Sequence, residues 1–366
     1  MEVWLVVHAR TRPELESAFP HHKDRILFIE DAWFHKLLCR MSSLLPRRIA
    51  ESTLNLFNQL ITQYRQRRVV RDLIWRESID LVHQPSPVSP RFPSLMANLG
   101  VPVLVGPMNG GMEYPETFRK TESIMCRISV SLGRRMASLA NSVIPGKKLA
   151  KVLLVANERT RRALPACVRG QVIEVPENGV DLKIWTPRAR PSGAGDPGRK
   201  SHDFVFLGRL VDWKGVDIAL EALVRVPAAR LEIIGDGPVL GRLQSFARRL
   251  GVSERVVFAG WLPQTTCAER LQSAAALLLP SIYECGGAVV LEAMAMKTPV
   301  IATAWGGPID YLGEGCGLLV EPSSREALVQ GFSSAMQKLI ECPELGRRLG
   351  SNGRKHVERE FDWDKK

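Results

Sequence analysis

Short apolar runs alternate with longer helical patterns along most of this chain, and that alternation restricts the folds it can adopt. The runs that predict strands are residues 3–7, 26–29, 81–83, 102–106, 151–156, 171–175, 204–208, 229–235, 256–260, 276–280, 299–303 and 317–320. Helical periodicity lies between them, as in VDIALEALVRV (216–226) and VLGRLQSFARRLG (239–251). Strands that alternate with helices form βαβ crossovers, in which the strands are parallel. The pattern therefore predicts an α/β fold.

The alternation is interrupted near the middle of the chain. TPRARPSGAGDPGRKSHD (186–203) is rich in Pro, Gly and charge and has no hydrophobic period, which is typical of a linker. A chain of 366 residues also exceeds the usual size of one core. We therefore predict an N-terminal Rossmann-like lobe over residues 1–180, a linker over 181–203 and a second such lobe over 204–366.

Composition and cysteine usage limit the class of protein. The hydrophobic share of 45% and the charged share of 24% are those of a soluble globular protein. No apolar run approaches the roughly 20 residues that a membrane span requires, and the N-terminal MEVWLVVHAR is read as a strand rather than a signal sequence. The seven cysteines show no CxxC spacing, which suits a reducing compartment and argues against structural zinc or disulfides. We expect a cytoplasmic protein.

The net charge of +12 is concentrated in the first half of the chain. Residues 1–180 hold 26 Lys and Arg against 16 Asp and Glu, a net of +10. Such an excess favours an anionic partner: a phosphorylated substrate, an acidic membrane surface or nucleic acid. A generally basic proteome is the plainer explanation.

Two segments of this basic half combine leucines with clustered arginines: KLLCRMSSLLPRR (36–48) and LITQYRQRRVVRDLIWR (60–76). On a helix this pattern can form a membrane-surface face whose arginines meet anionic headgroups at the inner face of the cytoplasmic membrane. It is also the pattern of an amphipathic helix whose leucines enter a core. Membrane contact would favour a lipid-linked or membrane-associated acceptor, and core packing leaves a soluble sugar or metabolite admissible.

The stretch YECGGAVVLEAMAMK (283–297) follows a predicted strand and begins a predicted helix. Gly286 and Gly287 leave the amides of the first turn uncovered, which suits a phosphate held by the helix N-terminus. Carboxylates repel phosphate, so Glu284 and Glu292 require another task, and paired sugar hydroxyls supply it. The stretch suits a nucleotide-sugar. The alternative is a pair of solvent-facing glutamates on a buried helix.

LGRLVDWKG (207–215) places Arg209 and Lys214 directly after another predicted strand. A cationic pair at this edge can hold a diphosphate and neutralise the charge that develops when a sugar leaves it. Lys214 by itself could be a surface lysine beside a helix. The combination with the glycine turn and two glutamates makes the binding interpretation stronger.

A series of motifs in order makes the resemblance specific. FLGRLVDWKG, IIGDGP (233–238), FAGWLP (258–263), the E-x7-E of ECGGAVVLE, AMAMKTPVIAT and GLLVEP follow one another. Together they resemble the donor half of the retaining glycosyltransferases of family four (glycosyl transferases group 1), and ENGVDLKIWTP (177–187) is similar to the segment that leads into that half. The match is dense over residues 177–322 and weak before it. The resemblance implies the GT-B fold, with two Rossmann-like lobes whose parallel sheets face each other across a cleft.

The resemblance also implies roles for individual residues. The C-terminal lobe would bind the nucleotide-sugar donor and the N-terminal lobe the acceptor. Arg209 and Lys214 would clamp the diphosphate, Glu284 would face the transferred sugar, and these three would be the catalytic residues. The remaining donor contacts would be Gly208, the backbone amides of Gly286, Gly287 and Ala288, Glu292 on the nucleotide ribose, and Trp261 and Leu262 near the base.

The activity that the resemblance implies is transfer of a hexose-type sugar from a nucleoside-diphosphate donor to a glycan, lipid-linked or small-molecule acceptor, as in polysaccharide biosynthesis. Such enzymes need no metal and no cofactor beyond the donor. They retain the anomeric configuration, and the departing diphosphate oxygen takes the acceptor's proton. The sequence likewise has no convincing Asp-x-Asp metal site, since DWD (362–364) at the C-terminus is better explained as coincidence.

The match fails in the first lobe. The loop after the first strand, HARTRPE (8–14), lacks the usual glycine pair, so that Arg10 and Arg12 would meet phosphate through charge or simply be solvated. PMNGGMEYP (107–115) has Asn109 where relatives often have histidine; an amide can bind a hydroxyl but cannot carry a proton. Gly110 and Gly111 form either a loop that lines the acceptor side of the cleft or an ordinary tight turn.

His83, at the end of a predicted strand, is either an acceptor contact or a partly buried histidine bonded to backbone. Relatives also end in a helix that returns to the first lobe, whereas this sequence stops at FDWDKK, where that helix would begin. Either the sequence is truncated there or the return helix is missing.

Other functions fit the sequence less well. A GT-B sugar-nucleotide epimerase would need acid and base groups around the donor sugar that the sequence does not identify. A basic nucleic-acid-binding protein rests on charge alone, without a recognised module. An NAD oxidoreductase is disfavoured because no G-x-G-x-x-G follows the first strand.

Overall fold

The computed structural model describes residues 2–31, 54–119, 124–188 and 202–366. The predicted amphipathic segment 36–48 and most of the predicted linker lie outside these ranges. The chain divides into two compact units. The first unit comprises Met1–Gly111 and Glu122–Glu177, and the second unit comprises Met112–Thr121 and Asn178–Lys366.

The first unit contains two parallel sheets with helices between their strands. Strands β1 (Leu5–His8) and β2 (Ile26–Ile29) form one pair, and β3 (Val82–Gln84), β4 (Val103–Met108), β5 (Val152–Val155) and β6 (Gln171–Glu174) form a four-stranded sheet in that order. Its α-helices within the described ranges are α1 (Arg12–Ala18), α2 (Leu54–Glu77), α4 (Ile124–Val143), α5 (Gly146–Leu149) and α6 (Glu158–Arg162). Helix α3, which comes between α2 and α4 in the chain, belongs to the second unit.

The second unit is built on a six-stranded parallel sheet. Its strands are β7 (Asp203–Leu207), β8 (Arg230–Ile234), β9 (Val256–Gly260), β10 (Ala276–Leu279), β11 (Val300–Thr303) and β12 (Gly317–Val320). Its helices are α3 (Glu116–Arg119), α7 (Val216–Val224), α8 (Leu240–Arg249), α9 (Gln264–Ser273), α10 (Ala288–Ala295), α11 (Gly307–Tyr311), α12 (Arg325–Glu341) and α13 (Pro343–Glu360).

The sheet of the second unit has the order β12-β11-β10-β7-β8-β9. The first three strands in sequence therefore run to one side and the last three to the other, which is the doubly wound Rossmann arrangement. Its central strands are buried on both faces, as continuous apolar runs such as ALLL (276–279) require, with every residue of that strand inaccessible. This core fixes the strand ends from which the site loops emerge.

The predicted α/β class, with two Rossmann-like lobes of parallel strands, is confirmed. Each of the predicted apolar runs overlaps a strand, and the helices predicted at 216–226 and 239–251 correspond to α7 and α8. The division into units differs in detail from the predicted lobes. Residues 112–121 belong to the second unit because Phe118 is buried in its core, and the chain joins that core already at Val180 and Trp185.

Helix α2 settles where the leucines of segment 60–76 lie. Leu73 is buried, and Val70 and Ile74 pack against the core of the first unit, which is the core-packing alternative. Tyr64 and Trp75 lie on the exposed side. In the described part of the chain, no helix combines the length and the apolar character needed to cross a membrane.

Candidate functional site

Two neighbouring strands of the second unit end in the loops that carry the predicted site residues. β7 and β10 pair in parallel, with Val205 beside Leu277, although β8 and β9 separate them in sequence. The strand order reverses at this pair, and ligands of open parallel sheets bind at the carboxyl ends of strands at such a point. Lys214 follows β7 and Glu284 follows β10, so the topology brings both to this position.

Backbone contacts hold these two loops together. The amide of Ile282 donates to the carbonyl of Trp213, with 2.9 Å between N and O. Gly215 has φ of +66°, and a Cβ at this position would lie 2.2 Å from the carbonyl oxygen of Pro280. The left-handed conformation and the close approach both require glycine. The DWKG sequence therefore fixes Lys214 against the loop that follows β10.

Lys214 and Glu284 form an ion pair in which Nζ contacts Oε2. Their side chains are only 17% and 10% exposed. Withdrawing a single charge from water is costly, and an opposite charge that is also a hydrogen-bond partner offsets that cost. From the sequence we expected Lys214 to bind the diphosphate and Glu284 to bind the sugar as separate groups, whereas the structure places the two side chains in direct contact.

A glycine-rich turn connects Glu284 to helix α10. Gly287 has φ of +86° and precedes the first residue of the helix, Ala288. The first amides of a helix have no intrahelical partner and carry the positive end of the helix dipole. The turn therefore presents Gly286, Gly287 and Ala288 in the backbone arrangement that suits an anion.

A second glycine pair, which the sequence analysis missed, supports this turn from the end of β11. The amide of Gly307 donates to the carbonyl of Glu284 at 2.7 Å, and a Cβ on Gly307 would lie 1.6 Å from the carbonyl oxygen of Gly286. Gly306 has φ of +71°. The signal was present in the sequence, because TAWGGP also places two glycines directly after a buried strand.

Arg209 lies at the exposed start of the same β7 loop. The loop after β8 fixes the backbone around Arg209. The amide of Leu210 donates to the carbonyl of Asp236, with 2.9 Å between N and O. A Cβ on Gly235 would lie 2.0 Å from the carbonyl oxygen of Gly208, so the two loops are in close contact. Within the described ranges the Arg209 guanidinium has no ion-pair partner. Its charge is therefore available to a ligand at the sheet edge.

Glu292 lies on α10, and burial raises the pKa of its carboxyl group to about 7. No cation or hydrogen-bond donor of the described residues offsets that burial. The same carboxylate contributes to raising the pKa of the nearby Cys267 thiol, after the larger effect of that thiol's own burial. A carboxyl group held in this way binds donors such as hydroxyls strongly when it ionises. Trp261, the predicted base contact after β9, is exposed, and Leu262 is partly buried.

Residues 112–119 form a strap across the loops of this site, which the sequence analysis placed in the other lobe. The Trp305 indole Nε1 donates to the carbonyl of Glu113 at 2.8 Å. The rings of Tyr114 and Tyr283 have centroids 5.0 Å apart, and a Cβ on Gly306 would lie 2.5 Å from Cε of Met112. The strap thus contacts the neighbours of both Glu284 and Gly307.

The candidate acceptor residues lie at strand ends of the first unit. The Nε2 of His83 lies 2.6 Å from the carbonyl oxygen of Gly106, as the alternative of a histidine bonded to backbone predicts. The residue is exposed, however, where that alternative predicts partial burial. The Asn109 amide donates to the carboxylate of Glu177. Gly110 packs on Pro90, whose Cδ would lie 2.6 Å from a Cβ at that glycine.

The arginines of the first loop are paired with acids. Arg10 contacts Asp31 at 3.1 Å between Nη2 and Oδ1, and Arg12 contacts Glu30. These contacts favour the solvated alternative over phosphate binding for the two side chains. No group of residues able to hold a metal ion occurs within the described ranges.

The two parallel-sheet units, with this site at the reversal of strand order, are the GT-B architecture. Solved structures with the same fold include HepE of Anabaena in complex with UDP, at a TM-score of 0.62 and 19% identity over 99% of this chain and 96% of that one. Sucrose-phosphate synthase of Thermosynechococcus elongatus gives a TM-score of 0.62 at 22% identity, covering 83% of this chain and 75% of that one. At such identities the likeness is one of fold.

Sequence comparison adds matches that cover part of the chain. Residues 195–356 match the family model of glycosyl transferases group 1. The lipopolysaccharide core biosynthesis glycosyltransferase LpsE of Rhizobium meliloti (strain 1021) is 34% identical over 156 residues, 42% of this chain and 44% of that protein. The D-inositol 3-phosphate glycosyltransferase of Segniliparus rotundus is 31% identical over 205 residues, 53% of this chain and 44% of that protein. The matches span less than half the length of these curated relatives, and together they support a group 1 glycosyltransferase.

Proposed function

We propose that this protein is a retaining, metal-independent glycosyltransferase that moves a hexose-type sugar from a nucleoside-diphosphate donor to a glycan, lipid-linked or small-molecule acceptor. The observation that carries the proposal is the Lys214–Glu284 pair at the reversal of strand order, beside a glycine turn that begins a helix. Lipopolysaccharide core and inositol phosphate glycosyltransferases among the relatives favour a role in glycan biosynthesis.

The pair explains how an acid can lie beside a diphosphate. Glu284 alone would repel the donor, whereas its contact with Lys214 neutralises that charge locally. An ammonium group has several N–H donors, so Lys214 can keep its bond to Glu284 and still donate to phosphate oxygens. The other Glu284 oxygen accepts from a hydroxyl of the transferred sugar. One pair therefore orients both the leaving group and the sugar.

Charge on the leaving diphosphate is stabilised from two directions. Lys214 and the exposed Arg209 supply cations from the β7 loop, and the amides of Gly286, Gly287 and Ala288 supply donors from the start of α10. Preorganised donors of this kind, aimed at developing charge, commonly contribute the largest share of catalysis. In this proposal they replace a metal ion, and the diphosphate oxygen takes the acceptor's proton on the face where the sugar leaves.

Glu292 holds the nucleotide ribose in this proposal. Its carboxyl group lies about one helical turn after Ala288, on the helix that the phosphate-binding turn begins, and one nucleotide can span that distance. Its raised pKa is caused by burial, which bonds from a pair of hydroxyls would compensate. Trp261 and Leu262 after β9 lie at the same edge of the sheet and are proposed as the base contacts.

The acceptor residues are proposed to be Asn109, Gly110 and His83 of the first unit. Asn109 is oriented by its bond to Glu177, and an amide group of this kind can bind a sugar hydroxyl. The basic excess of the first half adds peripheral contact with the anionic inner face of the cytoplasmic membrane to the proposal, and no nucleic acid is expected as a partner.

The test is donor turnover by the full chain. UDP- and GDP-sugars are incubated with the protein in the presence of a metal chelator, and release of the nucleoside diphosphate is followed. The anomer of the released hexose is read immediately by proton NMR, and retention predicts the configuration of the donor. Loss of turnover in chelator, release of the inverted anomer, or salt-sensitive DNA binding without turnover would each contradict the proposal.

A further inference from the structure

Helix α4 of the first unit carries an apolar stripe on its solvent side. Leu132, Met136, Leu139 and Val143 are 57%, 41%, 69% and 75% exposed. Their spacing of four, three and four residues confines them to an arc of about 60° at 3.6 residues per turn. Exposed apolar residues are ordinary when scattered, but an aligned series on one helix marks an interaction surface.

The opposite face of α4 holds the helix on the first unit. Asn141 is 1% exposed, and its Nδ2 donates to the carbonyl of Arg91 at 2.8 Å. The carbonyl of Asn141 in turn accepts from the thiol of Cys167 at 3.4 Å. On this helix Asn141 is buried, whereas Leu132 and Leu139 are exposed. A helix that serves only to cover a core has the reverse arrangement, with its apolar residues inside and its polar residues outside.

The charges of α4 are all of one sign. Residues 124–143 contain Arg127, Arg134 and Arg135 and no aspartate or glutamate. Arg135 is exposed beside the stripe, and Lys148 follows shortly after the helix. An apolar stripe flanked by cations matches the boundary between lipid headgroups and acyl chains in an anionic bilayer.

A second copy of the chain is the main competing occupant, and two features of α4 disfavour it. Stable interfaces bury about 800 Å² on each partner, which four aliphatic side chains on one helix do not provide. Self-association through this face would also bring two acid-free cationic helices together, and like charges repel.

We infer that α4 docks the protein on an anionic membrane surface, with Leu132, Met136, Leu139 and Val143 in the headgroup region and Arg135 against lipid phosphates. This rests on the membrane contact proposed above and locates it on one helix. It also deepens the proposed function, because a docked enzyme would receive a lipid-linked acceptor from the same surface.

The experiment measures cosedimentation of the full chain with vesicles. Phosphatidylcholine vesicles are compared with vesicles that also contain phosphatidylglycerol, at low and high salt. The wild-type protein is expected to bind the anionic vesicles, more weakly as salt rises. The double variant Leu139→Ser/Val143→Ser should lose binding by about tenfold or more, and Arg135→Gln should reduce the salt dependence.

The matched control is Val224→Ser/Val257→Ser, which makes two exposed valines of the second unit polar and should leave vesicle binding unchanged. Leu132→Ser/Met136→Ser repeats the test if the first double variant does not fold by circular dichroism. Equal binding by wild type and stripe variants, or a stripe variant that changes only the oligomeric state in light scattering, would overturn the inference. Donor turnover without vesicles is measured in parallel, because it reports on the proposed function and is expected to be unaffected by either double variant.

Discussion

The ammonium group of Lys214 contacts the carboxylate of Glu284, although the two residues are 70 positions apart in sequence. They meet because β7 and β10 are neighbours where the strand order of the sheet reverses. Both side chains are largely withdrawn from solvent, so the pair contributes to the stability of the two loops as well as to the proposed reaction. These two contributions can be separated by mutation.

Lys214→Ala should lower donor turnover by about 100-fold or more, because it removes a cation from the leaving diphosphate. It should also destabilise the protein, since Glu284 would remain mostly buried without its partner. The double variant Lys214→Met/Glu284→Gln should recover the free energy of unfolding in urea but not the turnover. The control is Arg242→Ala, which breaks an exposed ion pair with Asp212 on the same loop and should change stability by less than about 1 kcal/mol. A double variant with wild-type turnover would disprove the assignment.

Gly307→Ala should displace the phosphate-binding turn, although Gly307 itself is not part of that turn. A Cβ at this position would lie 1.6 Å from the carbonyl oxygen of Gly286, so the turn must move, and displacements of about 1 Å cost roughly 100-fold in catalysis. Isothermal titration with nucleoside diphosphates and the turnover assay measure the effect. Gly241→Ala is the matched control, because nothing lies within 4 Å of a Cβ there and alanine on helix α8 should stabilise by up to about 1 kcal/mol. Unaltered nucleotide binding in Gly307→Ala would show that the turn does not carry the ligand.

The strands and the existence of the β7 and β10 loops could be predicted because they depend on local patterns. Continuous apolar runs bounded by Gly and Pro identify buried strands, and a Rossmann-like series places their ends at one edge. The contact between Lys214 and Glu284 depends on strand order, which local patterns do not contain.

The strap at residues 112–119 could not be predicted for the same reason. Tyr114 meets Tyr283, and Glu113 meets Trp305, at separations far beyond any periodicity. Gly306 and Gly307, by contrast, could have been found, since they repeat the strand-then-glycines pattern of Gly286 and Gly287.

Tyr114→Ala tests whether the strap positions the donor loop. The ring packs on Tyr283, next to Glu284, and aromatic pairs contribute about 0.5–1.5 kcal/mol beyond their buried area. We expect the KM for the donor to rise by about tenfold, with a smaller change in kcat, because the loop becomes less ordered without losing a reacting group. Tyr64→Ala, at an exposed tyrosine of helix α2, is the control and should change neither constant. An equal fall of kcat in the two variants would point to a general loss of structure.

Glu292 predicts a pH dependence of both stability and nucleotide binding. Burial raises the pKa of its carboxyl group from 4.5 to about 7 in the folded protein. Between these values the unfolded state releases the proton and the folded state keeps it, so stability falls as pH rises from about 4.5 to 7. Glu292→Gln should lack this component, which urea titrations of both proteins at a series of pH values will show.

Nucleotide binding should depend on the same group with the opposite sign. Ribose hydroxyls donate to the ionised carboxylate, so affinity should increase as pH rises through about 7 and binding should release a proton. Calorimetry in buffers of different ionisation enthalpy measures that proton. The same pH profile in Glu292→Gln would exclude this residue as the ribose contact.

Lys147 should give a pH dependence of stability that comes from the first unit. Its side chain is 1% exposed, and burial lowers the pKa of the amino group from 10.5 to about 7, opposed in part by the charge of Cys167. Its Nζ donates to the carbonyls of Ser89 at 3.0 Å and Pro90 at 2.6 Å.

Between about pH 7 and 10.5 the unfolded chain holds the proton that the folded chain has released from Lys147, so this residue's contribution to the free energy of unfolding increases with pH. Lys147→Met should therefore be most stabilising, relative to wild type, at pH values below 7, where the wild-type ammonium is buried. Urea titrations from pH 6 to 10 measure the difference, with Lys151→Met, at an exposed lysine of the same unit, as control. A difference that does not change with pH would mean that Lys147 keeps its proton and that the two carbonyls fully compensate its burial.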